Sequence, residues 1–214
     1  MSVYIEALIL YALLFLPGSI ISLAGLGGDL PFDLPAAAEP VRILMFYIPS
    51  TALIWYLLFR GKQAKGWGFK PGKKDLLSGL IAFPCLLIIG FIIAYTSSFA
   101  GTSQIIFQTP SGAAPWVTLC ISCICTGYLE ESFFRLYLLS RREALKLSVP
   151  AVVAVSAALF SICHIYEGPW GMLNAALSGT LLSFVFLRYK SLHGIALAHG
   201  LYNIAAYAAA VTAA

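Results

Sequence analysis

Charge is what this chain has least of. Only 10% of its 214 residues are Asp, Glu, Lys or Arg, while 60% are hydrophobic, and the mean hydropathy is +0.89. A water-soluble domain carries about 25% charged residues, so the composition excludes that class and predicts an all-α, polytopic transmembrane helix bundle. One membrane-embedded domain over 1–214 is the expected organisation. The net charge is only +4, and no basic stripe interleaved with aromatics occurs, which argues against a nucleic-acid partner. Cys85, Cys120, Cys123, Cys125 and Cys163 all lie in apolar segments, so no disulfide framework is implied. The Cys120, Cys123, Cys125 group reads as small buried hydrophobes. Several catalytic signatures are also missing. There is no G-x-S-x-G for a serine route and no H-E-x-x-H for a helical zinc site. Asp29, Asp33 and Asp75 fall in loops or at span ends, so an intramembrane aspartyl pair is absent.

Apolar runs dominate what is present. A helix needs about 20 such residues to cross the hydrocarbon core, and about seven segments meet or approach that length: 3–25, 41–59, 76–98, 115–139, 150–166, 170–187 and 192–212. The opening "MSVYIEALILYALLF" has no basic n-region and is expected to be a first span, not a signal peptide. "YEGPWG" is expected to be a tight turn, and Pro49 and Pro84 to kink their helices. Eleven of the thirteen Lys and Arg residues fall in the loops at 60–75, 140–149 and 188–191. The positive-inside rule puts those loops in the cytoplasm. The N-terminus is then cytoplasmic and the C-terminus extracytoplasmic. Trp55, Trp67 and Tyr166 are expected as interface anchors, and His193 as an interfacial residue.

Few strongly polar groups remain inside the spans. Glu130, Glu131 and Arg135 lie on the fourth, His164 on the fifth, and His199 and Asn203 on the seventh. Ionisable groups at membrane depth cost at least a few kcal/mol each and normally face the bundle interior with a partner, so one shared polar cavity is the default expectation. Glu131 and Arg135 are four apart and can pair on one helical face. Glu130, rotated by about 100°, can face the cavity instead. A carboxylate can act as general base on water, an imidazole can position that water, and an amide can stabilise an oxyanion. The same Glu130, His164 and His199 could instead hold Zn²⁺ with water as fourth ligand.

The ordered set Glu130-Glu131-x-x-x-Arg135, Phe160-x-x-x-His164 and His199-x-x-x-Asn203, each on its own span, resembles the CPBP (CAAX protease and bacteriocin-processing, or Abi) family of intramembrane endopeptidases. The likeness covers about 67–204, the expected catalytic core. "WGFKPGKKDLLSGL" looks like the family's linker into that core, and Gly179 and Arg188 match a glycine-bearing helix that ends in a basic residue. The resemblance implies Glu130 as catalytic base, His164 and His199 orienting water, Asn203 at the oxyanion, and Glu131 with Arg135 holding the geometry. It favours a glutamate-type mechanism without cofactor over a zinc protease. It implies a membrane-associated protein or peptide as substrate, in the prokaryotic plasma (inner) membrane. Two other readings compete: a non-proteolytic membrane scaffold or immunity factor, and a proton-coupled transporter. The absence of an inverted repeat weighs against the last.

Overall fold

The computed structural model describes residues 2–23, 38–61, 66–101 and 110–213, and among these there are helices and no strands. Residues 24–37, with Asp29 and Asp33, and 102–109, which make up most of the loops expected at 26–40 and 99–114, lie outside the described residues. Eight helices follow one another: α1 (Val3–Leu14), α2 (Leu16–Leu23), α3 (Glu39–Arg60), α4 (Lys73–Phe99), α5 (Ala113–Ser140), α6 (Val149–Cys163), α7 (Ile165–Tyr189) and α8 (Leu192–Ala213). Four of them, α3, α4, α5 and α7, are long and apolar enough to cross a membrane, and α1 and α6 are shorter apolar helices.

Local chemistry sets most of the boundaries. Ser2 caps α1 by accepting from the Ile5 N–H, and Ser148 caps α6 by accepting from the Ala151 N–H; both satisfy a donor that the helix leaves orphaned. Asp75 reaches back to the Gly72 N–H at 2.6 Å and starts α4. The expected first span is broken at Phe15, whose φ of −121° separates α1 from α2. Pro49 has no N–H to give Met45, and a π-helical turn at Ile43–Tyr47 covers that point of α3. By contrast α4 runs as helix straight through Pro84. The "YEGPWG" segment is a 3₁₀ turn at Ile165–Glu167 that feeds directly into helix at Gly168, so α7 starts earlier than the hydropathy suggests.

α8 is the central element. It packs most extensively on α5 and α4, while α7 packs on α6 and α4. Close approach of α8 to α5 depends on two glycines. A Cβ on Gly127 would lie 2.6 Å from the Ala196 carbonyl oxygen, and one on Gly200 would lie 2.7 Å from Ile124 and 2.9 Å from its Cα. Small residues at such crossings let membrane helices come together. α1 and α2 lie across α5 and α6. Tyr4 donates to the Leu145 carbonyl at 2.7 Å, Tyr11 to that of Leu159 at 2.9 Å and Ser19 to that of Cys163 at 2.7 Å. Tyr11, Phe15, Phe133 and Phe134 interlock beneath them, with ring centroids 4.9–6.3 Å apart. The outer face of α4 is apolar yet exposed, with Leu80, Phe91 and Phe99 among its uncovered side chains. A helix apolar on both faces suits lipid outside and protein inside.

The basic segments meet at one end of the bundle. The Leu192 N–H donates to Gly68 O, and Lys190 Nζ sits 3.5 Å above the Trp67 ring. Burial first, and then the nearby Arg142 charge, hold the Lys190 ammonium below its ordinary pKa. Trp67 stacks on Phe186 at 6.0 Å, and Trp55 donates to Ser132 Oγ at 2.8 Å. These contacts tie both half-buried tryptophans into the bundle. His193 likewise bridges Tyr128 Oη at 3.1 Å and the Phe69 carbonyl at 2.9 Å.

Candidate active site

The site begins on α5, where two neighbouring carboxylates take different directions. Glu131 is fully buried, and its Oε1 lies 3.1 Å from Arg135 Nη1. Glu130 is turned into a cavity of about 620 Å³. The helix switches to a π turn at Ser132–Tyr137, directly after the two glutamates. Such turns occur as local bulges, frequently at functional sites.

Arg135 is fully buried, and its surroundings are unusual. None of its three guanidinium nitrogens makes a hydrogen bond; the contact with Glu131 is an ion pair by distance without aligned donor geometry. Its other neighbours are ring faces, with the guanidinium carbon 4.7 Å from the Phe160 centroid and 5.8 Å from that of Phe134. α7 completes the enclosure with Gly179, where a Cβ would lie 3.0 Å from Phe160 Cδ1 and 3.2 Å from Arg135 Nη2. Glycine is what lets the two helices close over the cation.

Glu131 has a second partner. His199 Nδ1 lies 2.9 Å from the same Oε1. An ionised carboxylate only accepts, so this contact places a proton on Nδ1. The other ring nitrogen, Nε2, then faces Glu130 Oε2 at 3.5 Å. His164 is oriented in the same way. Its Nδ1 lies 2.8 Å from the Phe160 carbonyl, which also only accepts, so Nε2 is again the uncommitted nitrogen. Phe160 touches both rings, with centroids 4.6 Å from His164 and 5.8 Å from His199, and it spaces them around the buried cation. Glu130 also interacts electrostatically with His164.

Glu130, His164, His199 and Asn203 all line the one cavity, while Glu131 and Arg135 stand behind it. α5, α6 and α8 therefore bring together the polar groups that the sequence places on three separate spans. Among the described residues no group of three or more His, Cys, Asp or Glu is arranged to hold a metal ion.

Sequence reasoning missed several other wall residues. Tyr166, expected at the membrane interface, faces the cavity and stacks on His164 with centroids 6.2 Å apart. Glu167 adds a second carboxylate to the wall, and Arg42 adds a guanidinium that pairs with Glu39 at 2.8 Å. Asn174 and Ser178 on α7 line it too, with Tyr202 on α8. Asn174 and Ser178 share the spacing of four that marks His199 and Asn203. That signal was available in "LNAALSG" and is weaker only because neither residue ionises.

Comparisons with curated proteins and with solved structures each give no match. A protein-family model does match, over residues 112–205, and its description is Type II CAAX prenyl endopeptidase Rce1-like. The matched range starts at the beginning of α5 and contains Glu130, Glu131, Arg135, His164, His199 and Asn203, but it excludes Arg42, the "WGFKPGKKDLLSGL" stretch and α1–α4. Over residues 112–205, less than half of the 214-residue chain, the sequence is similar to that family, the one its motifs resemble.

Proposed function

We propose that this protein is a glutamate-type intramembrane endopeptidase that hydrolyses a peptide bond in a membrane-associated protein or peptide. The observation that carries the proposal is the fixed orientation of His199, which gives Nδ1–H to buried Glu131 at 2.9 Å and turns Nε2 toward Glu130 at 3.5 Å. A water in the cavity donates one hydrogen bond to the Glu130 carboxylate and another to an uncommitted imidazole Nε2. Its lone pair is then aimed at the scissile carbonyl carbon. As the C–O bond forms, Glu130 takes the water's proton. The carbonyl oxygen becomes an oxyanion, to which the Asn203 amide donates. When the C–N bond breaks, Glu130 returns the proton to the leaving amine. Glu131 and Arg135 touch no reacting atom; they hold His199 and the α5 backbone in place.

The clustering of the basic segments at one end of the bundle supports a cytoplasmic N-terminus and an outside C-terminus over seven passes; the membrane we propose is a prokaryotic plasma membrane. The family description supports a prenylated C-terminal tail as a substrate class. The test is cleavage of an S-farnesylated peptide, ending in Cys followed by two aliphatic residues and one further residue, by the purified protein in nanodiscs. Turnover that disappears in Glu130→Gln and persists in chelator is the expected result. Turnover that survives Glu130→Gln refutes the mechanism, and turnover restored by added Zn²⁺ after chelation moves the chemistry to metal.

A further inference from the structure

A peptide that enters this cavity carries N–H and C=O groups that water no longer satisfies. Burying such groups unpaired costs several kcal/mol each in an apolar medium, so a working protease of this kind needs polar atoms reserved for the substrate backbone. α7 supplies two candidates on one face. Ser178 is only 5% exposed, lines the cavity, and its Oγ has no hydrogen-bond partner. Other hydroxyls on the same helix turn back onto the backbone: Thr180 donates to Ala176 O at 2.8 Å and Ser183 to Gly179 O at 2.8 Å. Ser178 does not. One turn earlier, Asn174 gives its Nδ2 to Tyr202 Oη at 2.9 Å, which fixes the amide and leaves Oδ1 buried and unpartnered. Tyr202 is itself held where a Cβ on Gly90 would lie 2.6 Å from its hydroxyl.

The spacing is informative. Residues four apart on a helix are separated by about 6 Å along its axis. In an extended chain the N–H groups that point to one side recur every second residue, about 6.8 Å apart. We propose that Asn174 and Ser178 form a substrate-backbone subsite, in which Asn174 Oδ1 and Ser178 Oγ accept hydrogen bonds from the N–H groups of alternate residues of an extended peptide. The subsite recognises main chain, as strand addition does at a sheet edge, and is indifferent to the side chains between. It rests on the endopeptidase reading, because only a peptide occupant needs such acceptors.

Binding and cleavage separate the two ideas. The probe is the same farnesylated peptide with a fluorophore, bound to the full-length Glu130→Gln protein in nanodiscs and followed by anisotropy. In that background Ser178→Ala and Asn174→Ala are each expected to weaken binding about 5–10-fold, the size of one lost hydrogen bond, while Ser178→Thr, which keeps the hydroxyl, restores it. A second series needs no change at these positions. Replacing one backbone N–H of the peptide by an ester oxygen, residue by residue, should weaken binding at two positions two residues apart. The loss at one of them should vanish in Asn174→Ala, as a double-mutant cycle demands. Equal binding by the alanine variants, ester losses that ignore both substitutions, or no binding of the peptide at all would each overturn the subsite. Peptide that binds in this pattern but is never cut by the unsubstituted protein would leave the subsite standing and refute the hydrolase.

Discussion

Two buried arginines lie six residues apart, Arg135 on α5 and Arg141 just past its end, and they live in different ways. Arg141 is held by Glu6 from α1, by the Tyr137 hydroxyl at 2.9 Å and by the Leu57 carbonyl of α3 at 3.4 Å, with its guanidinium 4.2 Å from the Tyr137 ring. Tyr137 in turn donates to Glu6 at 2.9 Å. Three helices are tied in that knot, its polar groups serve one another except for the buried, unpartnered Arg141 Nε, and it lines no part of the cavity described above. Arg135 makes one ion pair, no aligned hydrogen bond and two ring contacts. The carboxylate it faces is shared with His199, one step from Glu130 and open space. Buried polar groups in native proteins are nearly all satisfied, and the exceptions need a reason. Arg141 explains itself as architecture. Arg135 is enclosed by packing, and the Glu131 Oε1 it pairs with also meets His199.

That contrast can be broken at several points. Glu130→Gln has the largest expected effect, a loss of about 10²–10⁴ in kcat, as for removal of a general base, with peptide affinity retained. His199→Ala and His164→Ala follow, each expected to lower kcat within the same range at its lower end; an unchanged rate in either removes that ring from the mechanism. Glu131→Gln should cost about 10–100-fold, as loss of a carboxylate that orients a working histidine does. The Gln amide can offer an N–H and invert the imidazole tautomer, and the NMR signature of the His199 ring nitrogens would report that change. Gly179→Ala should cost about fivefold in kcat/KM, because Phe160 and Arg135 must yield by a few tenths of an ångström. On the architectural side Glu6→Gln should lower unfolding stability by about 1–3 kcal/mol, measured by thermal melting in detergent, and leave kcat of the folded protein unchanged. A catalytic defect in Glu6→Gln with normal stability would erase the distinction between the two knots.

Much of the site was legible because the bilayer makes polarity conspicuous. In spans this apolar, Glu130, Glu131, Arg135, His164, His199 and Asn203 stand out by type alone, and their spacings of four place pairs on shared faces. Arg141 lies in the loop after α5, as its sequence context suggests, but nothing local says that it meets Glu6 of α1. Tyr166 and Trp67 show the same limit of local context. Aromatic residues near span ends suit a membrane interface, and only packing reveals that Tyr166 turns to His164 and Trp67 to Phe186. Ser178 and Asn174 are the subtler case, since an uncharged polar residue in a span is usually satisfied by its own helix or its neighbour.

Composition and periodicity by themselves determined that the chain is a bundle of apolar helices, which residues inside it are costly, and which of them share a helical face. They could do so because helix formation and the expense of burying charge are local matters. Tertiary structure alone decided that Glu131 is divided between Arg135 and His199, that Glu130 faces open space, and that glycines at 127, 179 and 200 let α5, α7 and α8 close around the site. Those outcomes depend on distances between helices far apart in the chain, and a one-dimensional pattern has no term for them.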